Sequence, residues 1–203
     1  MASLITHPIV PFSLGVALGR RNIPLRALFL GMMLSMLPDA DVVAFRFGIP
    51  YDHMLGHRGF SHSLLFAGAI ALLCAGLPLF RGMRFRLFLF FAFATASHGV
   101  LDAMTTGGKG VGFFIPFEPE RYFLPLRPIL VSPLSVKGFF NERGWAVFKS
   151  ELLWVWLPCA VAALCREIAR PPRRRPGADG IDLGGRLPAH RRGAAPVSRH
   201  RRR

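Results

Sequence analysis

The chain has 203 residues, 52% of them hydrophobic, and a formal charge of +15. Its three cysteines, Cys74, Cys159 and Cys165, lie inside apolar stretches without CxxC spacing, which excludes a disulfide framework. The charge is uneven: residues 171–203 hold ten Arg against two Asp, net +8, and the rest of the chain carries +7. That tail offers no recognition helix and no stacking aromatics, so nucleic acid is not the expected partner. A juxtamembrane Arg cluster facing anionic lipid is.

Five apolar segments follow one another along the chain. The first, 8–19, is opened by prolines and preceded by no basic n-region, so it is expected to be retained and not cleaved as a signal peptide. The second, 25–37, ends at Pro38. The third, 63–80, and the fourth, 85–101, are the two that meet the lower limit of about 17 residues for a membrane span. The fifth, 152–165, is flanked by Glu151 and Arg166. Between the fourth and fifth, the 102–150 region mixes glycines, prolines and the run FFIPF, and reads as an ordered cap of short strands or turns. Its TTGGKGVG matches no phosphate loop. Residues 171–203, rich in Arg, Pro and Gly, read as disordered.

Lys and Arg set an orientation. Arg20, Arg21 and Arg26 lie between segments one and two, Arg81, Arg84 and Arg86 between three and four, and the Arg-rich tail after five. With five spans these regions share one side, which the positive-inside rule makes cytoplasmic. The 38–62 and 102–150 loops then lie outside.

Seven residues stand out against this apolar background: His7, Asp39, Asp41, His57, His62, His98 and Asp102. An unpaired imidazole or carboxylate is expensive inside or at the lip of a membrane segment. His and Asp are also the ligand types of hard or borderline divalent metals. The orientation, drawn from Arg and Lys alone, brings all seven to the outer side. SHGVLD sets His98 and Asp102 at i and i+4, one above the other on a helix. They suit two ligands of one ion, a carboxylate orienting an imidazole, or a plain buried His–Asp bond. In HRGFSHS, Gly59 permits the turn that aims His57 and His62 inward, and Ser61 is expected to cap segment three. Arg58 either holds a phosphate or carboxylate or is a solvated loop charge. LPDADV places two carboxylates where, in an extended loop, both face one centre. Asp52 and His53 have no distinguishing spacing, and His190 and His200 fall in the tail.

THPIVPFSLG, LPDADV, HRGFSHS and SHGVLD, in this order over roughly residues 1–165, resemble the YdjM-type family of predicted inner-membrane metal-dependent hydrolases. The resemblance implies a polytopic bacterial inner-membrane protein that binds metal through His7, Asp39, Asp41, His57, His62, His98 and Asp102. A more distant likeness to zinc phospholipases and nucleases implies a phosphoester substrate.

The resulting expectation is an all-α polytopic membrane bundle of about five apolar helices, with an outer loop cap over a membrane-embedded domain (1–170) and a disordered tail (171–203). One or two divalent ions, zinc first, would activate water for hydrolysis of a lipid or envelope-associated ester. Asp39, Asp41 or Asp102 would serve as general base, with Asp41 and Arg58 as the catalytic pair. The competing class is a metal or proton carrier using the same residues.

Overall fold

A computed structural model describes residues 1–133 and 140–169, and the fold is a helical bundle without strands among them. Helix α1 (Ile9–Leu18) starts at Pro8 and stops at Gly19. Helix α2 (Leu25–Leu34) follows Pro24 and leads into a long 3₁₀ helix, Leu37–Phe47. After a loop and the 3₁₀ turn Phe60–His62 come α3 (Leu64–Gly76) and α4 (Arg84–Ala103). The cap follows. Helix α5 (Glu142–Glu151), capped by the Asn141 side chain, then runs through a π turn (Leu152–Trp156) into α6 (Leu157–Ile168).

Among the described residues, three stretches are long and apolar enough to cross a membrane: Leu25–Phe47, Arg84–Ala103 and Glu142–Ile168, of 23, 20 and 27 residues. These lengths correct three expectations. Pro38 does not end the second segment, because a proline at the start of a 3₁₀ turn lacks only an N–H that would be unpaired there anyway. The third segment is not of spanning length: α3 has 13 residues and breaks before Pro78, whose ring excludes the α conformation from the preceding residue. The fifth begins ten residues earlier than its apolar run, at Glu142.

Small side chains draw α3 and α4 together. Ala67, Ala71 and Ala75 recur every four residues and form the buried face of α3, the small-residue seam of membrane helices. Around Ala71 and Ala75 pack Ile23, Ala27, Leu34, Phe80, Leu87, Phe90 and Phe91. The large residues point outward instead, with Leu72, Leu73, Phe29 and Phe85 all more than 60% exposed. That arrangement suits a surface solvated by lipid.

The core occupies the first half of α4, and the second half carries His98 and Asp102. The expected cap of short strands or turns is built of turns, with two isolated bridges among the described residues, Thr105 with Ile129 and Val111 with Tyr122. Arg121 ties the cap to the preceding loop by donating to the carbonyl oxygens of His57, Tyr51 and His53. The expected disordered tail lies outside the described residues.

Candidate metal centre

Four elements and the segment before α1 deliver polar side chains to one buried cluster. His7 precedes α1, Asp39 and Asp41 ride the Leu37–Phe47 helix, and His57 and Arg58 come from the loop. His62 ends the Phe60–His62 turn, and His98 and Asp102 occupy the last turns of α4. His7, Arg58, His98 and Asp102 are completely buried, and His57, His62 and Asp39 nearly so.

The 3₁₀ geometry sorts the two aspartates. At three residues per turn, positions two apart point about 120° away from each other. Asp39 and Asp41 therefore address opposite edges of the His62 ring, where an extended loop would have aimed both at one centre. Asp39 Oδ1 lies 3.9 Å from His62 Nε2, and Asp41 Oδ2 lies 3.2 Å from His62 Nδ1.

Backbone and carboxylate partners fix the imidazoles. His98 Nδ1 lies 2.7 Å from the Ser35 carbonyl, which can only accept, so Nδ1 carries the proton. His98 Nε2 then faces His62 Nε2 at 3.1 Å and Asp39 Oδ1 at 3.3 Å. His62 Nδ1 is likewise taken by Asp41. Asp102 Oδ2 stands 3.7 Å from His62 Nε2. His7 stacks on His98 with ring centroids 3.7 Å apart, and its Nε2 lies 3.8 Å from Asp102 Oδ1 and 3.9 Å from Asp39 Oδ2.

This set fits a divalent ion. One ligand atom each from Asp39, His62, His98 and Asp102 all lie within 4.8 Å of one another. Zinc ligands held ~2.0–2.2 Å from the ion in a tetrahedron stand about 3.3–3.6 Å apart, close to the distances above. Both ring nitrogens of His7, both oxygens of Asp39 and Asp102 Oδ2 are buried without a hydrogen bond. Groups so placed are costly unless something binds them.

The charge balance agrees. Burial alone would push the His62 imidazole down, but the negative charges of the neighbouring Asp102 and Asp41 carboxylates outweigh that and raise it to about 9. The carboxylates thus draw a positive charge into the cluster. Burial, reinforced by neighbouring His98, pushes His7 down to about 3, so it stays neutral and able to ligate.

Asp41 has a separate environment. It accepts from His57 Nδ1 (2.6 Å), the Arg58 N–H (3.1 Å), Ser61 Oγ (2.6 Å) and His62 Nδ1. Asp41, His57 and His62 form a second group whose ligand atoms lie within 4.8 Å of one another. With four donors on it, Asp41 is built to orient the two imidazoles.

Arg58 is no solvated charge. Its Nε stands 3.0 Å from Asp102 Oδ2 as an ion pair lacking hydrogen-bond alignment, and its terminal nitrogens donate to Gly107 O and Thr105 Oγ1. A Cβ on Gly108 would come within 2.4 Å of Nη1, so the glycine cluster makes room for this guanidinium. Arg58 itself, not Gly59, takes the left-handed backbone of the turn, at φ 62°. Gly59 is required because a Cβ would sit 2.2 Å from the Met54 carbonyl oxygen.

Ser61 does not cap α3. Ser63 Oγ does, accepting from the Phe66 N–H, while Ser61 is bound to Asp41. Asp52 pairs with Lys109 on the surface, and exposed His53 accepts from the Leu55 N–H. His190 and His200 lie outside the described residues. Sequence reasoning missed Glu151, a fully buried carboxylate bonded to Ser3 and Thr6. The signal was available: an acid at the lip of an apolar run meets the criterion that selected His98 and Asp102.

Comparison with known proteins adds a family and a relative. The family model described as YdjM inner membrane protein matches residues 1–171. Inner membrane protein YbcI of Escherichia coli (strain K12) is 48% identical over 160 residues, covering 78% of this chain and 92% of that protein. No solved structure matches.

Proposed function

Because the chain belongs to the YdjM inner membrane protein family, we propose that its buried His/Asp cluster is the metal centre of a membrane-bound hydrolase acting on a lipid or envelope-associated phosphoester. The observation that carries this reading is the pair of Nε2 atoms of His62 and His98, 3.1 Å apart and facing carboxylate oxygens that no donor satisfies.

Asp39, His62, His98 and Asp102 hold the ion, zinc first, with His7 on the side facing Asp39 and Asp102. A divalent ion in such a site supplies Lewis acidity and lowers the pKa of water towards ~7. Asp41 keeps the His57 Nδ1 proton directed at itself, which leaves Nε2 to accept a proton; His57 thus takes the base role expected of an aspartate. Arg58 neutralises Asp102 from behind and holds it in place, so its part is support of the centre.

A lipid partner is supported by apolar side chains on the cap, with Phe117 82% and Leu126 62% exposed. Arg81, Arg84 and Arg86 lie at the end of the bundle away from His98, and by the positive-inside rule this supports an outer-face centre and a cytoplasmic tail. Against a carrier stands the wholly apolar packing of α2, α3 and the first half of α4, which offers an ion no polar path.

Metal analysis of the detergent-purified full chain tests the reading. Wild-type protein should retain a divalent ion, zinc first, and His62→Ala and His98→Ala should each lose most of it while still inserting. Equal metal content in all three would end the proposal.

A further inference from the structure

The last helix gives the cluster no ligand, yet it reaches within two residues of one. Glu151 is completely buried and faces only donors. Its Oε1 accepts the Ser3 N–H, and its Oε2 accepts Ser3 Oγ and Thr6 Oγ1. Trp156 Nε1 donates in turn to Thr6 Oγ1, at 2.9 Å. Glu151 and Trp156 are five residues apart, which in an α-helix puts them about 140° apart around the axis. They meet on one threonine because the helix widens between them into the π turn Leu152–Trp156, whose i→i+5 closure brings such positions to one face. Turns of this kind often mark functional sites.

The clamped segment leads directly into the centre. Ala2 donates its N–H to Asp102 Oδ1 at 2.8 Å. It packs completely buried against Leu101, Ile129 and Val155, the last of these within the π turn. Thr6 is followed by His7, which has no hydrogen bond of its own on either ring nitrogen. Apart from its stacking on His98, no hydrogen bond on the His7 side chain fixes its place, so the backbone on either side sets where the ring can reach. On one side that backbone is α1, and on the other it is the Glu151 clamp.

We propose that Glu151, with the π turn that follows it, is the positioning residue that sets His7 against His98 and Asp102, making α5 and α6 part of the centre's architecture. This rests on the metal-centre reading above, and its test separates the two. The full-length chain is purified in detergent as wild type, Glu151→Ala, Glu151→Gln, Trp156→Phe, His7→Ala and the Glu151→Ala/His7→Ala double variant. Deuterium uptake over residues 1–8 is read without metal, and Co²⁺ affinity and absorption spectrum are read with it.

Glu151→Ala should raise uptake over residues 1–8 while leaving 84–103 unchanged. It should weaken Co²⁺ about 10–100-fold, as loss of an orienting partner does, and shift the spectrum in the manner of His7→Ala. The double variant should be no weaker than His7→Ala alone, since both remove the same interaction. Glu151→Gln, which keeps one acceptor, should fall between. Unchanged uptake, or losses that add in the double variant, would overturn the proposal. If Glu151→Ala fails to insert, Trp156→Phe, which removes a single hydrogen bond, is held to the same pattern at smaller size. If wild-type protein binds neither Co²⁺ nor Zn²⁺, the metal-centre reading fails and the uptake measurement alone decides the clamp.

Discussion

At the scale of single residues, the cluster is organised around His62. One ring edge meets Asp41 and the other meets His98, Asp39 and Asp102. In metal-free protein its proton substitutes for a cation, and this gives a pH signature. A histidine raised from its ordinary value near 6.5 to about 9 adds stability that is fully present below pH 6.5 and lost as pH climbs through 9. His7, lowered to about 3, acts in reverse: its contribution is full above pH 6.5 and lost as pH falls towards 3. Thermal unfolding of metal-free protein should therefore be most resistant near pH 6.5. His62→Gln should flatten the alkaline limb, and His7→Gln the acid limb. Limbs unchanged in both variants would contradict these assignments.

At the scale of elements, two serines two residues apart have different jobs. Ser63 caps α3 through the Phe66 N–H, so Ser63→Ala should cost about 1 kcal/mol, the ordinary value of a lost N-cap, seen as a lower unfolding midpoint. Ser61→Ala should leave the unfolding midpoint nearer wild type but loosen Asp41 and with it bound metal. The reverse pattern would restore the sequence-based assignment of Ser61 as the cap.

Sequence reasoning could not separate the two serines, since both lie at the start of the apolar run and capping depends on which one adopts extended backbone. It reached further with residues expensive to bury. His7, Asp39, Asp41, His57, His62, His98 and Asp102 were selected on that ground, and the fold brings them together. The helices were harder to read from apolar runs alone. The 3₁₀ continuation past Pro38 and the polar start of α5 at Glu142 carry little apolar signal, because one is a lip of the centre and the other leans on the cap.

At the scale of the whole molecule, the bundle has an apolar end and a polar end, and α4 runs from one to the other. The arginines of the α1–α2 and α3–α4 connections predict which end faces the cytoplasm. In a chain freed of Cys74, Cys159 and Cys165, cysteine at Phe117 should react with an impermeant thiol reagent in intact cells. Cysteine at Ser198 should react only after lysis. Labelling of both in intact cells, or of Ser198 alone, would reverse or break the orientation.

The contact of Ala2 with Val155 also bears on how the protein is made. Every proposed ligand has been synthesised once residue 102 emerges, but the surface that receives the first residues of the chain belongs to a helix translated some fifty residues later. Until that helix enters the membrane, the segment carrying His7 has only half of its seat. A nascent chain therefore holds an open cluster while some fifty further residues are added, and the seat of His7 is completed only when that helix arrives.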